Sequence, residues 1–182
     1  MRALIRAGLV SLSLCAIQCG NQGVQGARSA SSALAAADEQ QSATGHVDFF
    51  GRNGAENRYS FSAIKRVQPA TGETIVQGEV QYQSYRTDGT VIDAHGDVIC
   101  LEIEGNVARV GGVADRSSGV PEGTSPFAYF TVVDNGEGDD TADLASNLFT
   151  APEQTVLAHC ATGHVPPPPL FPILTGNVQV RP

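Results

Sequence analysis

The residues with the clearest chemical potential are a few histidines, cysteines and clustered carboxylates. His95 and Asp97 lie two apart, so on a strand they share one face and offer an imidazole and a carboxylate for acid–base work. No nucleophile elbow of the G-x-S-x-G kind accompanies them, and Ser117-Ser118-Gly119 lacks that pattern. No phosphate-cradling loop or dinucleotide fingerprint occurs either. A half-exposed histidine near a strand end is therefore the expectation, and no catalytic residue is assigned. Asp134-Asn135-Gly136-Glu137-Gly138-Asp139-Asp140 gathers Asp134, Glu137, Asp139 and Asp140 in one loop. Calcium takes hard oxygens in such loops, but Gly136 and Gly138 occupy positions where an EF-hand needs ligands. A solvated hairpin loop is the preferred expectation, with those four carboxylates as calcium candidates.

His159, Cys160 and His164, with Cys100, form the other cluster. The spacing from His159 to His164 suits zinc. In an oxidising compartment two cysteines more simply oxidise each other, so a Cys100–Cys160 disulfide is expected, and neither a metal nor a cofactor.

That compartment is inferred from the leader. Met1-Arg2-Ala3-Leu4-Ile5-Arg6 precedes a mostly apolar run from Ala7 to Ile17, and no acid appears before Asp38. These are the n- and h-regions of a signal peptide, and the run is shorter than the ~20 residues a membrane-spanning helix needs. Two ends remain open. One is cleavage near Ala33, Ala35 and Ala37, making residues 1–37 the leader; the other is acylation at Cys19, with the leader ending before it. Cys15 and Cys19 belong to this segment, leaving only Cys100 and Cys160 for the fold.

The 182 residues carry 11 Lys and Arg against 19 Asp and Glu, and loss of residues 1–37 removes Arg2, Arg6 and Arg28, leaving 8 against 19, a net charge of −11. Such a surface repels phosphate backbones and anionic lipid, so nucleic acid is excluded as a partner and a membrane enters only through a lipid anchor. A monomer is expected. Charged residues are only 16% of the chain beside 20 Gly and 10 Pro, which favours a turn-rich β domain over a coiled coil or a disordered chain.

Residues 20–43 are Ala, Ser, Gly and Gln without apolar periodicity, a flexible tether, and the domain is expected over residues 44–182. Within it, short alternating segments are separated by turn residues. His46–Gly51 is a first strand, and Asn53-Gly54 turns into Arg58–Ala63, where Tyr59, Phe61 and Ala63 share a face. Thr74–Tyr85 alternates Val76, Gly78, Val80 and Tyr82 against glutamines and Glu79, and Asp88-Gly89 then turns the chain.

The clearest unit spans Val98–Ala114 about a Gly105-Asn106 turn. A two-residue turn pairs Glu104 with Val107, Ile103 with Ala108, Glu102 with Arg109 and Leu101 with Val110. Ile99, Leu101, Ile103, Ala108 and Val110 then form an apolar face, and Glu102 and Arg109 an opposite-charge pair on the other. Cys100 falls opposite Gly111, whose missing side chain leaves room for a disulfide partner. Phe127–Asp134 is a further strand, and residues 139–155 are expected as a short helix or a loop. Pro166–Pro169 is extended, and Ile173–Arg181 is the closing strand. Thr175-Gly176-Asn177-Val178 echoes Thr44-Gly45-His46-Val47, which suggests that first and last strands lie side by side and close a barrel. The expected fold is all-β: one antiparallel barrel or sandwich of about seven or eight strands with one disulfide.

In the order of Tyr59–Ala63, His95–Leu101, Asp134–Gly138 and Gly176–Val180 the chain resembles an uncharacterised family of small exported bacterial β-rich proteins. The resemblance spans most of the domain and implies a fold, with no activity attached. The functional expectation is a non-catalytic exported module, secreted, periplasmic or lipid-anchored, that binds a ligand or partner. The alternative is a small-molecule carrier or small barrel enzyme with a lumenal site.

Overall fold

The structure, a computed structural model, describes residues 40–137, 142–163 and 168–182. In chain order the elements are β1 (Gln40–Phe50), a 3-10 turn (Arg52–Gly54), β2 (Glu56–Val67), β3 (Thr74–Tyr85), β4 (Val91–Glu104), β5 (Val107–Ser118), β6 (Phe127–Val133), β7 (Leu144–Ser146), β8 (Phe149–Thr150), α1 (Glu153–Thr162), β9 (Leu170–Pro172) and β10 (Thr175–Arg181). All pairings are antiparallel within one sheet, in the order β10-β1-β2-β3-β4-β5-β6-β7-β9, with β8 beside β6. The sheet curls into a half-barrel, so the all-β expectation holds. Among the described residues the ten strands exceed the expected seven or eight because β7, β8 and β9 are pieces of only two or three residues.

The first strand begins at Gln40, so Gln40–Ala43 belong to the sheet and not to the tether. Ala43 is fully buried, opposite Ala63 on one side and Val180 on the other. Its smallness hid the alternation that Val47 and Phe49 continue. First and last strands do lie side by side, with Thr44 opposite Gln179 and Val47 opposite Gly176. Their pairing does not close a barrel, because β1 is internal and the edges of the sheet are β10 and β9.

Side chains bring those edges together. An edge strand presents unpaired N–H groups that invite another chain. Here Asp143 Oδ2 accepts from the Val178 N–H and Asp134 Oδ2 from the Val180 N–H, each at 2.9 Å. The other oxygens of the same carboxylates accept from Asn135 and Gly136 N–H. The Asp143 carbonyl receives Ile173 N–H, and the Asp48 carbonyl receives Leu174 N–H. Hydrogen bonds to a charged acceptor contribute about 1.5–3 kcal/mol each.

Inside the curl the inward positions are apolar, and aromatic rings pack together among aliphatic side chains. Tyr59 is the hub, with ring centroids 5.6 Å from Phe49, 5.1 Å from Tyr82 and 5.0 Å from Phe130. Phe61 meets Phe130 edge-on, Phe171 stacks on Phe49, and the Tyr59 O–H donates to the Ser146 carbonyl at 2.8 Å. The Gly105-Asn106 hairpin has the expected register from Cys100–Gly111 to Glu104–Val107. Leu101 and Ile103 are 2% and 6% exposed. Two details differ. A bulge at Ile99 shifts the register, so Val98 enters the core and Ile99 is only half-buried. Glu102 and Arg109 are register partners, yet Glu102 is ion-paired with Lys65 at 2.6 Å, while Arg109 reaches Glu104 and the Cys160 carbonyl.

The helix lies later than expected. Residues 144–146 and 149–150 are strands, and α1 starts after Pro152 with Glu153 in its first turn and ends at Gly163, whose φ of 62° is left-handed. Pro before the first turn and Gly after the last are strong helix punctuation. The helix packs on the outer face of β4–β6. Cys160 is joined to Cys100 with Cα atoms 6.1 Å apart, and a Cβ on Gly111 would collide with Val156 and Cys100. The room expected opposite Cys100 is therefore used by the helix. A disulfide points to a non-cytoplasmic location. Among the described residues no helix is long and apolar enough to cross a membrane.

Two outcomes test this account. The double substitution Cys100→Ser/Cys160→Ser opens a loop of 60 residues and is expected to cost about 4 kcal/mol in denaturant unfolding. Asp143→Asn sets an amide donor against backbone donors and is expected to cost about 2 kcal/mol in the same measurement.

Candidate functional site

His95 projects from the outer face of β4, and the carboxylate beside it is Asp115, not Asp97. Its Nδ1 lies 3.1 Å from Asp115 Oδ1 and its Nε2 3.9 Å from Glu79 Oε2. Residues two apart on a strand are separated by about 6.6 Å, whereas neighbouring strands lie ~4.8 Å apart, so cross-strand carboxylates reach the ring first. The register shift that pairs His95 with Arg116 and Gly96 with Ala114 leaves Asp115 as the extra residue. The hydrogen bond with His95 holds the Asp115 carboxyl below the usual carboxylate range. Asp97 is exposed on the same face, in register with Glu79.

The zinc set is not assembled, since both sulfurs are spent on the disulfide and His164 lies outside the described residues. His159 is 1% exposed and its ring lies 4.4 Å from that of Tyr129. Nε2 lies 3.1 Å from Thr131 Oγ1 and 3.4 Å from the Phe130 carbonyl. A carbonyl can only accept, so Nε2 carries the proton, and Nδ1 is buried without a partner among the described residues. Burial is the main cause that lowers the His159 pKa from its ordinary value.

Of the calcium candidates, Asp134 spends both carboxylate oxygens on backbone N–H groups and Glu137 is exposed. Asp139 and Asp140 lie outside the described residues, as do Cys19 and the leader. Among the described residues no cluster of three or more His, Cys, Asp or Glu is placed to hold a metal.

The arrangement best suited to binding was not singled out from the sequence. At one end of the curl a cleft of about 430 Å³ opens between the Arg52–Gly54 turn, the β3–β4 turn and the β7–β8 link. Ligand pockets typically span roughly 300–1,000 Å³. Its floor is polar. Asn57 and Ser84 face each other across β2 and β3, each 2% exposed, one register step beyond the Tyr59–Tyr82 pair. The Tyr82 O–H donates to Asn57 Oδ1 at 2.8 Å, and Asn57 Nδ2 donates to the Ala55 carbonyl and, at 3.5 Å, to Asn147 Oδ1. Burial raises the Tyr82 pKa, so its hydroxyl stays protonated as a donor. Gly51 permits this network, because a Cβ there would strike both Asn147 and Asn57 side chains.

The rim carries charge. Arg52 and Arg86 are exposed and form no ion pair among the described residues, although Arg86 acts electrostatically on the Asp88 carboxylate and the Tyr82 hydroxyl. Asp88, also on the rim, accepts the Thr90 N–H at 2.8 Å, which holds its carboxyl below the usual range. One signal for the site was present in the sequence. Asn57 and Ser84 stand at inward positions of the alternation that Tyr59, Phe61 and Tyr82 establish, and a buried polar residue needs a partner or a ligand.

Compared with known proteins, the chain matches no family model, no curated protein and no solved structure.

The lowered pKa of His159 sets a pH dependence. The unfolded chain binds a proton at the ordinary histidine pKa near 6.5, the folded chain only below that, so stability is full above this value and lost as pH falls through the folded pKa. Thermal melting at pH 7.5 and 5.5 is expected to show a lower Tm at 5.5, and His159→Leu is expected to flatten that difference.

Proposed function

We propose that this protein is a non-catalytic binding module, exported from the cell, whose ligand sits in the cleft bounded by Arg52, Arg86 and Asn147. The observation that carries this reading is the floor: a hydrogen-bonded Tyr82–Asn57–Asn147 chain placed at the open end of an otherwise apolar interior. A buried polar network is costly unless satisfied, and one that faces solvent across a cleft can satisfy a ligand as well as itself. The lumenal carrier alternative loses support because Phe49, Tyr59, Phe61 and Phe130 pack together where such a ligand would sit. The enzyme alternative loses support because His95 and Asp115 stand on the outer face, away from that cleft. The disulfide agrees with export, and the leader's n- and h-regions supply the route, ending in cleavage or in acylation at Cys19.

The test is a backbone-amide NMR screen of the full processed protein against a small polar-fragment library, with product analysis of each mixture. Shifts are expected to gather at Arg52, Asn57, Ser84, Arg86 and Asn147, with every fragment recovered unchanged. Shifts gathered elsewhere, or fragments converted to products, would overturn the reading.

A further inference from the structure

We infer that the ligand of this cleft is a hydroxylated monocarboxylic acid of monosaccharide size, an inference that rests on the cleft being the ligand seat. The first argument is charge. Past residue 37 only 8 basic side chains stand against 19 acidic ones, yet two of the eight, Arg52 and Arg86, line this one cleft. Neither forms an ion pair among the described residues, which is equally true of Arg66, Arg116 and Arg181, but these two line one cleft, where Arg86 also acts electrostatically on Asp88. A planar guanidinium matches a carboxylate in a two-bond fork, so the rim is built to receive one.

The second argument sets the number of charges. Asp88 shares the rim, and the chain as a whole is strongly acidic. Both oppose a dianion such as phosphate more than a monoanion.

The third argument is the floor. Tyr82 Oη gives its proton to Asn57 and keeps lone-pair capacity, and the Ser84 hydroxyl lies beside it. The Asn147 amide nitrogen has no acceptor among the described residues. Hydroxyl oxygens that can still accept and an amide that can still donate are the groups that hydrogen-bond ligand hydroxyls. A volume of about 430 Å³ lies toward the small end of the usual pocket range, which suits one sugar-sized unit.

The experiment is isothermal titration of the full processed protein with D-galacturonate, D-glucuronate and D-gluconate, set against D-galactose, D-glucose and inorganic phosphate. At least one acid is expected to bind saturably, at least about tenfold tighter than its neutral counterpart and than phosphate, and more weakly as salt rises. Arg52→Gln and Arg86→Gln are each expected to weaken that acid about tenfold with Tm unchanged. Neutral sugars binding as tightly, phosphate binding tighter, or both arginine variants retaining full affinity would overturn the inference. No binding by any acid would also overturn it, while fragments still mapping to the cleft by NMR would leave the cleft itself standing.

Discussion

A sheet that curls without its two edges pairing must satisfy the last strand's outward N–H groups some other way. Asp143 and Asp134 do so, each carboxylate spending one oxygen on β10 and the other on the loop that follows β6. The arrangement needs carboxylates in particular, because each must accept from two donors at once and has nothing to donate. It also ties the β6 end, the β7–β9 side and the C-terminal strand to one another. The aromatic stack around Tyr59 depends on this, since Phe171 and Val178 complete its walls from the two edges so joined.

On the opposite face a second, smaller layer is held by other means. Helix α1 has few buried residues of its own, namely Val156, His159 and Cys160. Propensity and amphipathicity would not fix so short a helix. The disulfide, the cap at Gly163, the Arg109 bond to the Cys160 carbonyl and the close approach allowed by Gly111 together position it. Under this helix lies the buried His159 imidazole, whose pKa burial lowers.

Much of the fold was legible because period-two alternation and turn residues speak directly. The register about Gly105-Asn106, the Cys100–Cys160 pairing, the vacancy at Gly111 and the neighbourhood of first and last strands were all accessible from residue order. What escaped had physical reasons. Ala43 is too small to announce a buried strand position. The Ile99 and Asp115 bulges add one residue each, and alternation cannot foresee an insertion, so Val98 replaced Ile99 in the core and Asp115 replaced Asp97 beside His95. The helix is punctuated by Pro152 and Gly163, but with only Val156, His159 and Cys160 buried it carries too little apolar patterning to separate it from the helix or loop expected over residues 139–155. The cleft was the least legible, because it is assembled from three distant links, and only the inward placement of Asn57 and Ser84 hinted at it.

The placement of β1 between β2 and β10 bears on how the molecule is made. The β1–β2 and β2–β3 hairpins join neighbours in sequence, yet β1 keeps one side bare until Thr175–Arg181 has been made and has docked. Pairings between chain ends are entropically slow to find. A polypeptide cut short of Thr175 would leave β1 as a long, unguarded edge for its neighbours to pair with.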